Sequence, residues 1–278
     1  MPSINTNSVT SPVGIVRIFQ FILTLITFSL VASIGHTSFS FWAWSMFCWT
    51  FCCFITLLII ILELTCVNTK IPISWDDFTT AFAMQATLMH LAASVIYPVF
   101  FVCSTCYVGI AASVLSCICF VLYATEVGLT RAKPEGISNF LSTVPGLLKV
   151  LEVFVACIIF ISLDSLIYNF YPGLKWCVAV YSICFIITLL IIILTIGRLL
   201  SRIPLPLDKV MIGYNVLAML MYLTATIIWP IYCFDGNFWP SFYFDRLVVV
   251  SCMTAVNLIA YIVDTVYSVR LVFFVSHV

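Results

Sequence analysis

Charge is what this sequence has least of. Charged side chains make up 8% of its 278 residues and hydrophobic ones 64%, where an ordinary soluble domain carries roughly 25% charge. A water-soluble fold of this length could not hide so much apolar surface, so membrane spans are the economical solution. Lys and Arg balance Asp and Glu at 11 each, which leaves no basic face for nucleic acid. No amphipathic basic stretch suggests a helix lying on a membrane surface. Histidine occurs three times, too rarely to complete a metal site around the cysteines. There is no H-E-x-x-H, no G-x-S-x-G and no phosphate loop, so no enzyme reading has a residue to start from and no cofactor is implied. Nothing reads as a signal peptide, a myristoylation start or a prenylation tail, and no N-x-S/T sequon occurs.

What is present is a duplication. Trp44–Pro98 aligns without a gap onto Trp176–Pro230 at an offset of 132, with 20 identities in 55 pairs, including the shared run ITLLIIIL at Ile55–Leu62 and Ile187–Leu194. The same offset places Gly14 on Gly146 and Arg17 on Lys149, and an offset of 138 places Tyr123 on Tyr261 and Glu126 on Asp264. A repeat of this length marks one module and its copy.

Apolar runs of about 20 residues, long enough to cross roughly 30 Å of hydrocarbon, fall near Gly14–Ile34, Trp44–Cys66, Thr79–Val102, Tyr107–Gly128, Pro145–Leu163, Trp176–Gly197, Val210–Tyr232 and Leu247–Val269. They are continuous rather than alternating, which favours helices over a membrane barrel. The expected fold is therefore all-α and integral to the membrane, with eight transmembrane helices in two tandem, parallel four-helix repeats. The parts are a short disordered tail (1–11), a first domain (12–132), a cytoplasmic linker (133–143) and a second domain (144–278). Arg17, Lys70, Arg131, Lys133, Arg198, Arg202, Lys209 and Arg270 fall on one side of the spans, and only Lys175 and Arg246 on the other. The positive-inside rule then puts both termini in the cytoplasm. Trp42, Trp44, Tyr97, Trp176, Trp229 and Trp239 form the outer aromatic belt.

Ionisable groups inside spans are where function is sought first, because each is costly there. Here they keep to the cytoplasmic third: Glu63, Glu126, Lys149, Glu152 and Asp264, with Arg17 at the edge. Arg17 is expected to pair with Glu126 and Lys149 with Asp264, clasping the first and last helices of each repeat; an ion path is the functional alternative. His90 is the mid-membrane polar residue, and its repeat partner is Tyr222. Each is expected to donate one hydrogen bond to a neighbouring helix, as are Asn215, Asn257 and Gln85. Gly109, Ser113 and Cys117 suggest a close-packing stripe on the fourth span. Most of the 13 cysteines act as small apolar filler in spans. Cys66, where the second span meets the cytoplasm, is also a candidate for S-acylation. Cys103 and Cys106 form a C-x-x-C in an outer loop, read as two ordinary thiols or a local disulfide.

SLVAS (Ser29–Ser33), YATEV (Tyr123–Val127), VPGLLKVLE (Val144–Glu152), VACIIF (Val155–Phe160) and WCVAVYSICF (Trp176–Phe185) resemble the signature stretches of the myeloid-associated differentiation marker family. The resemblance runs from about residue 12 to the C-terminus. It departs in the short N-terminal tail and in the compact last outer loop, Cys233–Asp245. It implies two MARVEL domains, each a four-helix membrane module, with no catalytic or ligand residue to carry over. It also implies a plasma-membrane protein that organises cholesterol-rich microdomains, trafficking or cell contacts. Its partners would be membrane lipids, cholesterol among them, and other membrane proteins or further copies of itself. A small-solute transporter or channel is the competing class.

Overall fold

A computed structural model describes residues 6–35, 40–103, 105–131, 144–163, 168, 169, 171–197, 207–234 and 241–270. The linker expected at 133–143 lies outside them, as do Lys133, Arg198, Arg202 and Trp239. The described chain divides into two compact units, Met1–Ser142 and Thr143–Val278. The first holds α1 (Thr6–Thr10), α2 (Pro12–Ile34), α3 (Ser40–Leu64), a 3-10 turn (Val67–Lys70), α4 (Trp75–Phe101) and α5 (Tyr107–Arg131). The second holds α6 (Val144–Ser162), α7 (Pro172–Ile196), α8 (Leu207–Phe234) and α9 (Ser241–Arg270). Eight of these helices are long and apolar enough to cross a membrane. No strand occurs among the described residues. The all-α, eight-span architecture is what the structure contains.

Hydrocarbon offers the backbone no hydrogen-bonding partner, so these segments satisfy their own N–H and C=O groups as helices. Serines and threonines inside them do the same locally. Thr27 donates to the Leu23 carbonyl, Ser45 to Phe41, Thr87 to Ala83 and Thr265 to Tyr261, all at 2.7–2.9 Å and one turn back. A hydroxyl can thereby stay in an apolar span without a partner helix. The helices run a few residues beyond the apolar runs because a helix need not stop where the hydrocarbon does.

In the first unit α2 packs on α3 and α5, and α4 packs on the same two, closing a ring of four. The second unit repeats the ring: α6 packs on α7 and α9, and α8 on the same two. Within each ring, sequence neighbours run in opposite directions.

The segment expected to be a disordered tail begins as structure at Thr6: α1 packs on α2 and α3. Ser11 explains the turn between α1 and α2. Its side-chain oxygen accepts from Gly14 N at 3.0 Å, capping α2, while Pro12 takes the first-turn place where a missing N–H costs nothing. Gly14 is needed because a Cβ there would collide with the Ser8 carbonyl oxygen and lie 2.7 Å from that of Val9.

The expected stripe on α5 is corrected. Gly109 is buried, but Ser113 is only half-buried and Cys117 is exposed. The buried face is Gly109, Ala112, Ser116, Cys119, Tyr123 and Glu126. A four-residue step advances about 40° past a full turn, so two such steps carry a side chain off the packed face, whereas alternating three and four holds it there.

Candidate functional site

Each unit gathers its charge at one end of its ring. In the first, Arg17 enters from the first turns of α2 and is 6% exposed. Its Nε donates to Glu126 Oε1 on α5 at 2.6 Å, and its Nη1 to Glu63 Oε1 on α3 at 2.6 Å. Trp75, opening α4, donates its indole N–H to the same Glu63 oxygen at 2.9 Å, so all four helices of the ring meet here. Gln20, one turn along from Arg17, donates to Glu126 Oε2 at 2.9 Å and to the Leu122 carbonyl at 3.2 Å. A cleft of about 260 Å³ reaches Arg17 and Glu63 from outside, past Ser8, Ser11, Asn68 and Asp76. Glu63 is the most open of the three charges, its side chain 17% exposed.

The second cluster is closed. Lys149 Nζ on α6 lies 2.7 Å from Asp264 Oδ2 on α9 and 2.9 Å from Glu152 Oε2 on its own helix, and all three side chains are 0% exposed. Its third bond goes to Asn215 Oδ1 on α8 at 2.7 Å, and Asn215 Nδ2 returns to Asp264 Oδ2 at 2.8 Å. The ammonium also stands 5.2 Å from the ring centres of Tyr214 and Tyr261, a cation–π arrangement on two sides.

The structure thus brings Arg17 to Glu126 and Lys149 to Asp264. Pairing by repeat position missed the second acid of each cluster. From the sequence Glu63 and Glu152 are acids near the cytoplasmic edge, and Gln20 carries no charge to mark it. The signal was in the repeat itself, because the 132 offset puts Gln20 on Glu152 and Glu63 on Thr195.

Between the charged end and the far end, each ring is filled with aromatic side chains. His90 is buried with its ring 4.9 Å from Tyr123, and the Tyr222 ring lies tilted 5.2 Å from that of Tyr261. Trp49 meets Tyr97 edge-on at 5.2 Å, and Tyr181 meets Trp229 at 6.2 Å. Trp and Tyr have changed places between the units while the contact is kept. Trp49 donates to Ser116 Oγ at 3.2 Å, and the Tyr181 hydroxyl lies 2.8 Å from Thr254 Oγ1.

The expectation that His90 bonds to a neighbouring helix is corrected: Nδ1 lies 3.0 Å from the Ala86 carbonyl of its own helix. A ring nitrogen reaches one turn back, as a threonine hydroxyl does. Its counterpart Tyr222 does reach across, accepting from Asn257 Nδ2 at 2.8 Å. Cys103 and Cys106 are joined as a disulfide, at the end of the first unit away from its charges. Cys66 is half-buried and lies just past α3, with a left-handed backbone at φ 54°.

Comparison with known proteins agrees with this architecture. The MARVEL family, described as a membrane-associating domain, matches residues 8–129 and again 140–267. The chain is 44% identical to a myeloid-associated differentiation marker homolog of Xenopus laevis, over 97% of this chain and 95% of that one. It is 42% identical to the myeloid-associated differentiation marker of Homo sapiens, over 96% and 90%. The myeloid-associated differentiation marker-like protein 2 of Xenopus laevis is also 42% identical, over 96% and 95%. No solved structure matches. Two matched membrane-associating domains, each a closed ring of four apolar helices, and relatives similar along nearly their whole length make this chain a member of the myeloid-associated differentiation marker family.

Proposed function

We propose that this multi-pass membrane protein is non-enzymatic. It organises lipid and protein neighbours in cholesterol-rich plasma-membrane microdomains, in trafficking or at cell contacts. The observation that carries this reading is the division of labour in each ring. Aromatic side chains and ion pairs fill the interior, while the outward surface is apolar. Phe54 and its repeat counterpart Ile186 are 62% and 60% exposed, and Val95 and Ile227 are 56% and 55% exposed. The counterparts differ in shape and agree in polarity, which is what a lipid contact asks for.

In this reading the charge clusters are structural, clasping the first and last helices of each unit. Both termini face the cytoplasm, and the two units are inserted the same way up. The bias of Lys and Arg supports that orientation, as does a disulfide at the end of the first unit opposite its charges, since disulfides persist on the oxidising side.

The test is partition of the full-length protein between ordered and disordered domains of isolated plasma-membrane vesicles. Enrichment in the ordered phase that survives Cys66→Ser supports a sorting surface made by the helices. Enrichment lost in Cys66→Ser assigns the sorting to acylation. Solute flux in liposomes that His90→Ala abolishes would favour a carrier.

A further inference from the structure

The two clusters hold the same formal charge but not the same surroundings. Each has one cation against two carboxylates: Arg17 with Glu63 and Glu126, Lys149 with Glu152 and Asp264. In the first unit Glu63 borders the cleft, so water can reach one of the two carboxylates. In the second, water reaches none of the three, and an uncompensated charge in such a place is expensive enough that the group is neutralised instead. A second observation locates the imbalance. Glu152 Oε1 is buried and has no hydrogen-bond partner, while Oε2 receives Lys149 at 2.9 Å and Thr188 at 3.4 Å. Asp264, by contrast, takes Lys149 and Asn215 on one oxygen and faces Ser268 with the other.

We propose that the Lys149–Glu152–Asp264 cluster is a binding site for one proton, held on Glu152 Oε1, beside a Lys149–Asp264 ion pair. The titratable groups that face it are Lys149 from α6, Cys184 from α7, Tyr214 and Tyr222 from α8, and Tyr261 and Asp264 from α9. Cysteine and tyrosine ordinarily stay neutral at neutral pH, and Lys149 is the only cation among these groups. The repeat shows that a neutral group is accepted here, because Gln20 occupies the matching place in the first unit and serves as a donor to Glu126.

The test is infrared spectroscopy of the full chain in lipid nanodiscs at neutral pH. The proposal expects the carbonyl stretch of a neutral carboxylic acid, shifted when glutamate side chains carry ¹³C and absent in Glu152→Gln. Asp264→Asn leaves one ammonium facing one carboxylate, so the band should vanish there too as Glu152 ionises. If Glu152→Gln fails to fold, the labelled wild type and Asp264→Asn decide. The absence of a carboxylic-acid band in the wild type, a band that ¹³C-glutamate does not shift, or one that persists in a folded Glu152→Gln overturns the proposal.

Discussion

The Tyr123 hydroxyl lies 2.7 Å from Thr56 Oγ1, joining α5 to α3 inside the first ring. The repeat reproduces the bond in the second ring, where Tyr261 lies 2.9 Å from Thr188. Both tyrosines are buried, at 0% and 1% exposure. Removing either hydroxyl leaves a threonine without that partner, and interhelical bonds in membranes are worth roughly 0.6 kcal/mol on average, up to ~1.7 kcal/mol. Tyr123→Phe and Tyr261→Phe should each lower stability by about 1 kcal/mol in thermal unfolding of purified protein. The Tyr261 hydroxyl also lies 3.3 Å from Tyr214 OH, so its loss should cost at least as much.

Removing one partner of a buried ion pair is far more damaging, about 3–5 kcal/mol. Lys149→Met leaves the Asp264 carboxylate without its cation at 0% exposure, whereas Arg17→Met leaves Glu126 at 2% with Gln20 still donating to it and Glu63 at 17% beside a cleft. Lys149→Met should therefore destabilise more than Arg17→Met, read as the drop in unfolding temperature. Pairing it with Asp264→Asn should recover part of the loss.

How far these clusters could be read in advance depended on the repeat. Arg17 with Glu126 and Lys149 with Asp264 were legible because an offset fixes equivalent depth and the pairs have opposite sign. Glu63 and Glu152 were not, because the 132 offset sets them against the uncharged Thr195 and Gln20, so matching charge with charge across the repeat passes over them. The eight helices were legible because a long apolar run has one solution in hydrocarbon. The rotation of α5 was not, because in a span apolar all round, hydrophobicity does not say which face points inward. The hydroxyl-bearing Ser116 and the aromatic Tyr123 were the better guides to that face. Helix α1 was missed because its few polar residues carry no periodic signal. What holds it is the Ser11 hydroxyl, which donates to the Ser8 carbonyl at 2.8 Å, and packing on α2 and α3 that the absence of a side chain at Gly14 permits.

That close packing can be checked. Gly14→Ala forces its Cβ against the α1 backbone, and overpacking of this kind costs about 1–3 kcal/mol. Gly128 has nothing within 4 Å of its would-be Cβ, so Gly128→Ala should instead stabilise by roughly 0.5–1 kcal/mol. Hydrogen exchange at residues 8–10 should quicken in the first variant and not in the second.

Cys66 holds φ at 54°, the left-handed region, as a residue with a Cβ. Glycine there relieves about 1 kcal/mol of backbone strain. Cys66→Gly should raise the unfolding temperature above that of Cys66→Ser, which keeps the Cβ. Both abolish any acylation at this site, so acylation does not contribute to the difference between them.

The proposed orientation puts the charged end of each ring in the cytoplasm. Because no natural N-x-S/T sequon occurs, engineered ones give a clean reading of topology. Flexible sequon-bearing insertions at residues 36–39, at 235–240 and at 133–143 should be glycosylated at the first two positions and not at the third. A glycan within 133–143, or at only one of the first two, would contradict it.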